Sequence, residues 1–500
     1  MNRLSYHLTA VLLVVMLLGF AVGAQVWAGQ YMTLLHFNDL HGHLEAFAQN
    51  DISVGGMARI AAAIQQVEAW NDDHQVVTLL LNAGDVLQGT AMSTVFQGEP
   101  DFWCLNEIGT DAMCLGNHEF DFGQQVLAQR MKQATFPILA ANITRQESGL
   151  GVTAYCYVTE LRGVKTGIFG LTTADTPTTT ARDNVAELEF HDPVTVARQA
   201  VQFLEGKANF IIALTHLGFP QDVELAQAVP EIDVIIGGHS HTALQQPEVV
   251  GNTLIVQAGA HGVYLGQLDL YVEAGNVSRY RGFLRSIDDR IAPDPKIAAF
   301  VGSYAEKVEA QLGEVIATAA VHLEGEREAV RSRETNLGDL LCDITREYAR
   351  TDIALLNGGG IRAPIAAGPV SARDVITVLP FGNDLVRVAL SGEQVRQLLD
   401  RSASLPAGDG GFLQVSGIRY QISNGQATDI EVGGSQLEPD GRYTVVTTDF
   451  LFTGGDGYTI FEQGNDPYPY GVRLSSIVIQ ALRELGTIQT QVDGRIVRRP

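Results

Sequence analysis

Five short segments of this sequence carry histidine, aspartate or asparagine in patterns that could hold metal ions. Each segment follows a run of apolar residues or lies in a loop bounded by glycine. One such histidine would be weak evidence, but five segments in one chain indicate a shared site. The residues concerned are Asp39, His41, Asp85, Asn117, His118, Asp121, His216, His239 and His241.

The number and type of these donors point to two ions. Four imidazoles, two carboxylates and one amide exceed the shell of a single four- or five-coordinate ion, so a pair of ions sharing a carboxylate fits better. Mixed nitrogen and oxygen ligation favours Zn or Mn, with Co or Fe as further options, over Mg or Ca. Two ions about 3.5–4 Å apart would clamp the attacking and leaving oxygens of a displacement at phosphorus.

The two remaining residues suit a proton-handling pair. His118 and Asp121 lie three positions apart in Gly116-Asn117-His118-Glu119-Phe120-Asp121. In such a dyad the carboxylate orients the imidazole, and the imidazolium stabilises charge or protonates the leaving group.

Alternating strands and helices must bring these segments together. Between residues 31 and 275, short runs rich in Val, Ile and Leu alternate with stretches of helical spacing, which predicts an α/β sandwich. Asp39, Asp85, His216 and His239 each follow a predicted strand, and sites in α/β proteins collect at the carboxyl ends of strands. The predicted strands are 32–37, 76–81, 137–141, 166–171, 210–214, 234–236 and 254–257, and predicted helices include 56–68 and 193–205.

The pattern changes after residue 286. Ala292-Pro293-Asp294-Pro295 breaks regular structure, and residues 296–312 then have the spacing of a helix. We expect a linker over residues 287–314, between a domain at 31–286 and a second α/β unit at 315–500.

Composition and charge exclude several classes of function. The 500 residues include 57 acidic and 33 basic side chains, a net charge of −24, which argues against sequence-independent nucleic-acid binding and against docking on anionic lipid. With 46% apolar and 18% charged residues, the chain is globular and not disordered. The four cysteines form no C-x-x-C pair, and a Cys104–Cys114 disulfide and buried free thiols are both compatible with the sequence.

Residues 1–28 have the layout of a secretory signal peptide. Arg3 precedes a nearly continuous apolar run at residues 8–22, and small residues permit cleavage after Ala24 or after Ala28. That run is short for a membrane anchor, and no later apolar stretch is long enough to cross a bilayer. We therefore expect a periplasmic or secreted protein without a stable membrane span after cleavage.

The ordered motifs resemble those of a known enzyme family. Asn38-Asp39-Leu40-His41, Gly84-Asp85, the segment from Gly116 to Asp121 and Gly237-Gly238-His239-Ser240-His241 are similar to the calcineurin-like metallophosphoesterases. In the second half, five motifs resemble the 5′-nucleotidase/UDP-sugar hydrolase family: residues 323–327, 334–338, 357–362, 380–383 and 454–458. The resemblance implies a four-layer α/β/β/α metallophosphoesterase sandwich, joined by a helical linker to a smaller C-terminal α/β nucleotide-binding domain.

The resemblance also implies roles for individual residues. One divalent ion would be held by Asp39, His41, Asp85 and His241, and the second by Asp85, Asn117, His216 and His239. His118 and Asp121 match the catalytic dyad of the family.

In the second domain, the resemblance places a nucleobase between two aromatic rings. Stacking is sensible because every base has a π-face, and a guanidinium offers two parallel donors to a phosphate. The implied residues are Phe381 and Phe450 for the base, Asn357 for its edge, Asp456 for the ribose, and Arg327, Arg331 and Arg362 for the phosphate or the polar atoms of the nucleoside.

These features together predict a dinuclear-metal phosphohydrolase that releases phosphate from nucleoside 5′-phosphates. Nucleoside di- and triphosphates and UDP-sugars are further expected substrates. One alternative is a relative with the same metal core that acts on 2′,3′-cyclic nucleotides or a thiosulfate ester. A second alternative, from another class, is a non-catalytic surface protein that binds nucleotides.

Overall fold

The computed structural model describes residues 29–49, 52–146, 151 and 153–499. The expected signal peptide, residues 1–28, lies outside the described residues. No helix within the described ranges is both long and apolar enough to cross a membrane.

Two six-stranded sheets form the centre of the N-terminal half. Each has a parallel core, with antiparallel strands at one edge of the first sheet and at both edges of the second. The first sheet has the order β16 (Asn276–Ser286), β15 (Tyr264–Glu273), β1 (Gln30–Phe37), β4 (Val77–Asn82), β5 (Ala112–Cys114) and β6 (Ile138–Leu139). The second has the order β13 (Glu248–Val250), β14 (Thr253–Val256), β12 (Val234–Ile236), β11 (Phe210–His216), β9 (Val164–Thr172) and β8 (Tyr157–Leu161).

The two sheets pack face to face and are covered by helices outside. Leu34 and Leu79 of the first sheet pack with Ile212 and Leu214 of the second in one buried cluster. Helices α1 (Met57–Asp73), α2 (Ala91–Phe96), α3 (Glu99–Glu107) and α4 (Gly123–Gln133) cover the first sheet, and α6 (Pro193–Leu204) and α7 (Phe219–Ala228) cover the second. A short helix, α5 (Thr176–Thr179), and two small two-stranded antiparallel sheets, β2 (Phe47–Gln49) with β3 (Ile52–Val54) and β7 (Ile143–Arg145) with β10 (Leu188–Phe190), lie in the connections. The expected four-layer α/β/β/α sandwich is confirmed.

All seven strands expected from apolar runs in this half are present. Among the strands that were not expected, β15 and β5 lie inside the first sheet. β5 contains only Ala-Met-Cys, without a β-branched or aromatic residue, so its sequence carries little strand signal. It pairs in parallel with β4 on one side and with β6 on the other.

The helix between the two halves packs against the first domain. α8 (Pro295–Leu312) is capped by Asp294, whose carboxylate accepts the backbone N–H of Ile297 at 2.9 Å. The ring of Phe300 in α8 stacks on the ring of Trp103 in α3, with the two centroids 3.5 Å apart. The predicted helix therefore exists, and its apolar face is part of the core that covers the first sheet.

A mixed five-stranded sheet forms the centre of the C-terminal half. Along β18, Ala354 and Leu356 face one core, while Ile353 and Leu355 face another, as the two-residue period of a strand requires. The sheet order is β21 (Leu413–Ser416), β18 (Ile353–Asn357), β25 (Arg442–Thr448), β20 (Asp384–Ser391) and β26 (Asn465–Arg473).

Two smaller sheets and six helices complete this half. The three-stranded sheet has the order β19 (Gly368–Ser371), β17 (Val315–Ala319) and β27 (Thr487–Ile488). The four-stranded sheet has the order β24 (Ser435–Gln436), β23 (Gln426–Val432), β22 (Ile418–Ser423) and β28 (Ile496–Arg498). The helices are α9 (Arg327–Val330), α10 (Asn336–Ala349), α11 (Ala372–Val378), α12 (Gly392–Ser404), α13 (Asp449–Phe452) and α14 (Leu474–Leu485).

The cysteines are free thiols. Cys104 and Cys114 are both buried and do not pair, so of the two alternatives for this pair the structure has the free thiols.

Candidate active site between the two domains

The candidate metal ligands collect where strands of both N-terminal sheets end. Asp39 and His41 follow β1, Asp85 follows β4 and Asn117 follows β5. His216 is the last residue of β11, and His239 and His241 follow β12. Because β1, β4 and β5 are parallel, and β11 and β12 are parallel, their carboxyl ends lie at the same edge of the sandwich.

Five of these seven residues have a left-handed backbone. Their φ angles are 49° at Asp39, 48° at His41, 53° at Asp85, 73° at His239 and 58° at His241. Residues with side chains rarely adopt this conformation, and it costs on the order of 1–3 kcal/mol at each position. Such a concentration of strain is typical of a functional site.

One group of donors converges from Asp39, His41 and His241. The Nε2 atoms of His41 and His241 lie 3.1 Å apart, and Nε2 of His241 lies 3.3 Å from Asp39 Oδ1. The other ring nitrogen of His41 is 3.2 Å from the carbonyl of Gln88, so it serves as the donor and leaves Nε2 with a lone pair. Two imidazole nitrogens and a carboxylate aimed at one point fit a cation.

A second group converges from Asp85, His216 and His239. Nδ1 of His216 donates to the carbonyl of Ala83 at 2.7 Å, and Nε2 lies 2.9 Å from Asp85 Oδ2. His216 Nε2 is buried and makes no hydrogen bond of normal geometry, so it is also free to ligate. The Asn117 side chain reaches the same place, with Oδ1 3.1 Å from Nδ1 of His239.

Asp85 lies between the two groups. Its Oδ2 atom, which lies 2.9 Å from His216 Nε2, is also 3.9 Å from His41 Nε2. Gly116 permits this position, because a Cβ atom there would lie 2.2 Å from Asp85 Oδ1.

Burial and neighbouring charges shift the pKa values of the two carboxylates, Asp39 and Asp85, in opposite directions. Burial raises the pKa of Asp39 to about 6. Burial also acts to raise the pKa of Asp85, but the charge of His216 outweighs it and the pKa falls well below its usual range. Burial acts to lower the pKa of His216, but the charge of Asp85 outweighs it and raises the pKa to about 10, so His216 must give up a proton when it ligates a metal ion. The site therefore keeps an anionic centre that calls for a cationic partner.

Glu119 holds the metal-site loops together, a role that the sequence did not indicate. Its fully buried carboxylate accepts the backbone N–H groups of Asp85 at 2.9 Å, Val86 at 2.8 Å and Gly116 at 2.6 Å. The loops after β4 and β5 are thereby fixed to one another.

The expected dyad is formed. Nδ1 of His118 donates to Asp121 Oδ2 at 2.5 Å, and the His118 backbone N–H donates to Asp85 Oδ1 at 2.9 Å. Burial acts to lower the pKa of His118, but the charges of Asp121 and Asp85 outweigh it and raise the pKa above its ordinary value. Thr180 and Asn184, which no motif indicated, contact Asp121 from the other side.

Two further histidines extend the site on the side of His41. The rings of His43 and His261 stack with centroids 4.1 Å apart, and His261 lies 5.8 Å from the ring of His41. Neither belongs to the predicted ligand set.

A cavity of about 340 Å³ lies between the two domains. The N-terminal domain contributes Asp85, His118 and Asp121 to its wall, and the C-terminal domain contributes Arg362, Phe381 and other residues of the predicted nucleoside site. The Phe381 ring lies 5.8 Å from that of His118, and the Arg362 guanidinium is 5.5 Å from the Phe381 ring. All predicted substrate-binding residues line this cavity.

Three arginines face the cavity without a protein partner. Arg327, Arg331 and Arg362 form no ion pair or side-chain hydrogen bond with any residue in the described part of the chain. Burial, together with the charge of Arg327, lowers the pKa of Arg362 to about 10. Arg333 instead pairs with Glu324. Arg331 is buried and the other two are half-buried, and unpaired cations of this kind are suited to an anionic ligand.

The polar residues of the predicted nucleoside site are held in place by hydrogen bonds within the protein. Nδ2 of Asn357 donates to Asp456 Oδ2 at 2.7 Å, and Nε of Arg401 donates to the Asp456 carbonyl at 2.8 Å. Asp456 has a left-handed φ of 50°. Gly455 lies directly against Phe450, since a Cβ atom there would be 2.6 Å from that ring.

Comparisons with known proteins agree with this arrangement. Residues 32–243 match the family model of the calcineurin-like phosphoesterases, and residues 315–463 match that of the 5′-nucleotidase C-terminal domain. The 5′-nucleotidase of Vibrio parahaemolyticus is 33% identical, over 85% of this chain and 84% of its own. Protein UshA of Yersinia enterocolitica is 32% identical, over 99% of this chain and 100% of its own.

A solved structure shows the same likeness in three dimensions. The crystal structure of a 5′-nucleotidase precursor from Thermus thermophilus is 35% identical, covers 94% of this chain and 100% of its own, and superposes with a TM-score of 0.85. Both domains of this chain and their order are thus those of established relatives. The chain belongs to the 5′-nucleotidase family of metal-dependent phosphohydrolases, with a calcineurin-like metallophosphoesterase domain followed by a 5′-nucleotidase C-terminal domain.

Proposed function

We propose that this protein is a dinuclear-metal phosphohydrolase that converts nucleoside 5′-phosphates into nucleoside and phosphate. A single observation carries the proposal: two convergent groups of metal donors reach, through Asp85, Asn117, His239 and His241, the same cavity that three unpaired arginines and two aromatic rings line. A metal centre alone would fit many phosphate esters, whereas the arginines and rings add the features that a nucleotide requires.

Two divalent ions would occupy the two groups of donors, with Asp85 shared between them. The first site consists of Asp39, His41, Asp85 and His241, and the second of Asp85, Asn117, His216 and His239. The donor chemistry favours Zn or Mn, with Co or Fe as alternatives. When bound, such ions polarise the phosphoryl oxygens and lower the pKa of a water molecule towards neutrality.

The chain's own residues would orient the substrate and handle the proton. Phe381 and Phe450 stack on the base, and Asn357 and Asp456 meet its edge and the ribose. Arg327, Arg331 and Arg362 neutralise the phosphate, each guanidinium offering paired donors. His118, held by Asp121, stabilises charge on the departing oxygen or protonates it.

A nucleotide enters this site with its phosphate towards the N-terminal domain. His118 contacts both Asp85 and the Phe381 ring, so the dyad lies between the metal donors and the base site. The susceptible P–O bond would therefore lie next to His118. Nucleoside di- and triphosphates and UDP-sugars share the nucleoside and the charged phosphate, and we include them as further substrates. The expected compartment is the periplasm or the medium.

The first test is phosphate release from AMP by the purified chain. We expect turnover with Mn or Zn, loss of turnover after chelation, and recovery on adding either metal back. Metal content should be measured on the same samples. Absence of release with both metals bound would refute the nucleotidase assignment, and 2′,3′-cyclic nucleotides and UDP-sugars would then be tested next.

A second prediction concerns the base site. Phe381→Ala should raise the KM for AMP by roughly 5- to 100-fold, because stacking on a base is worth about 1–3 kcal/mol. The kcat for p-nitrophenyl phosphate, which has no base, should change little. Phe203→Ala removes a half-exposed ring under Lys207 in the first domain and serves as the matched control. An unchanged KM for AMP in Phe381→Ala would contradict the assignment of this ring.

A further inference from the structure

The dyad has a third member on a separate segment of the first domain. Asp121 gives one carboxylate oxygen, Oδ2, to His118. Its other oxygen, Oδ1, accepts the hydroxyl of Thr180 at 2.8 Å. Thr180 is 4% exposed and makes no other side-chain hydrogen bond within the described ranges, so this hydroxyl is committed to Asp121.

The same segment also holds the backbone of Asp121. Nδ2 of Asn184 donates to the Asp121 carbonyl at 2.9 Å, from a turn at Arg182–Val185. Thr180 therefore binds the carboxylate of Asp121, and Asn184, four positions later, binds the carbonyl of the same residue. An aspartate held at only one oxygen can rotate about its terminal torsion, whereas these contacts leave Asp121 a single orientation.

Neighbouring threonines show that the contact is specific to Thr180. The hydroxyls of Thr178 and Thr179 both bond to the carbonyl of Asp175, one turn back in the same short helix. They stabilise the local turn, and neither touches Asp121. Thr178 is exposed and offers a control of the same residue type.

The segment is held from the C-terminal domain as well. Residues Thr176–Thr179 contact the turn Gly455–Gly457, which carries Asp456 of the nucleoside site. Arg182 pairs with Glu462 at 3.2 Å on the exposed side. The part of the chain that orients Asp121 is therefore placed against the second domain and is not a free loop.

We propose that Thr180 is a positioning residue for the dyad: its hydroxyl fixes the Asp121 carboxylate so that His118 presents Nε2 to the departing oxygen. The inference rests on the proposed phosphohydrolase function and adds a residue to it. Thr180 also lines the cavity, but its hydroxyl is engaged by Asp121 and it belongs neither to the expected metal ligands nor to the predicted substrate-binding residues, so we expect it to act through Asp121.

The test compares variants with and without the hydroxyl. Thr180→Val should lower kcat by about 10- to 100-fold, the range typical of partners that orient a functional group, with KM and metal content close to wild type. Thr180→Ser restores the hydroxyl and should recover most of the rate, and Thr178→Val should match wild type. If Val does not fit, Thr180→Ala removes the same hydroxyl with less bulk.

A double-variant cycle separates positioning from general damage. In an Asp121→Ala background there is no carboxylate to hold, so adding Thr180→Val should change kcat by less than about twofold. A loss of equal size in both backgrounds, or a wild-type kcat in folded Thr180→Val or Thr180→Ala, would overturn the proposal.

Both AMP and p-nitrophenyl phosphate should be used as substrates. Turnover of the aryl ester but not of AMP would defeat the nucleotidase assignment, and the role of Thr180 would then be judged on an alkyl phosphate monoester that the protein hydrolyses, because its leaving oxygen, unlike a nitrophenolate, takes up a proton. The nucleotidase assignment and the role of Thr180 can therefore be refuted independently of each other.

Discussion

Asp85→Asn should reduce phosphate release by roughly a thousandfold or more, the largest effect expected of any single substitution in this protein. The carboxylate lies 2.9 Å from His216 and 3.9 Å from His41, so both groups of metal donors depend on it. An amide of the same shape contributes one neutral oxygen and removes the only strongly anionic centre between the two groups. We expect at least one metal ion per chain to be lost.

The measurement is metal content by mass spectrometry beside turnover of AMP. Asp233→Asn is the matched control, because Asp233 lies on the same domain, caps a strand end by accepting the Ile211 N–H at 2.8 Å and is remote from the cavity. The control should keep its metal and its rate. Full activity and full metal content in Asp85→Asn would exclude a shared ligand at this position.

His118→Ala should lower kcat by about 100- to 10,000-fold while both metal ions remain bound, because a positioned acid–base group contributes a factor of this size. His118 is in neither of the two proposed ligand sets and its ring lines the cavity, although one ring nitrogen also lies within 4.8 Å of donor atoms of His41 and Asp85. KM for AMP should change less than kcat. His322→Ala, which removes an exposed histidine paired with Glu326, should behave as wild type.

The dependence on leaving group would identify what His118 does. If it protonates the departing oxygen, the loss should be smaller for p-nitrophenyl phosphate, whose phenolate leaves without a proton, than for AMP. An equal loss on both substrates would instead indicate stabilisation of charge. A kcat within about twofold of wild type on AMP would remove His118 from the reaction altogether.

The sequence predicted the metal donors because their residue types are uncommon and their positions are regular. Asp39, Asp85 and His216 each follow an apolar run, and the structure places each at the carboxyl end of a strand. The strands themselves were recognisable because buried parallel strands are rich in Val, Ile and Leu. β5 was missed because Ala-Met-Cys does not have that composition.

Residues that support the site were harder to predict. Thr180 and Asn184 are ordinary polar residues in a stretch, residues 172–184, with five other threonines, and only the fold brings them to Asp121. Glu119 stands inside a recognised motif, yet its four backbone hydrogen bonds depend on two loops that are distant in sequence. Long-range contacts of this kind leave no local pattern.

The packing of α8 has a consequence for exchanging parts between relatives. Ile297, Val301 and Val308 are buried against the first domain, and Phe300 stacks on Trp103. A chimaera that takes its metal-binding half from this chain and its nucleoside-binding half from a relative should therefore be joined after Leu312. A junction at residue 286 would instead place the relative's helix against the surface of the first domain on which α8 packs. The poorer packing would destabilise the metal-binding domain of this chain.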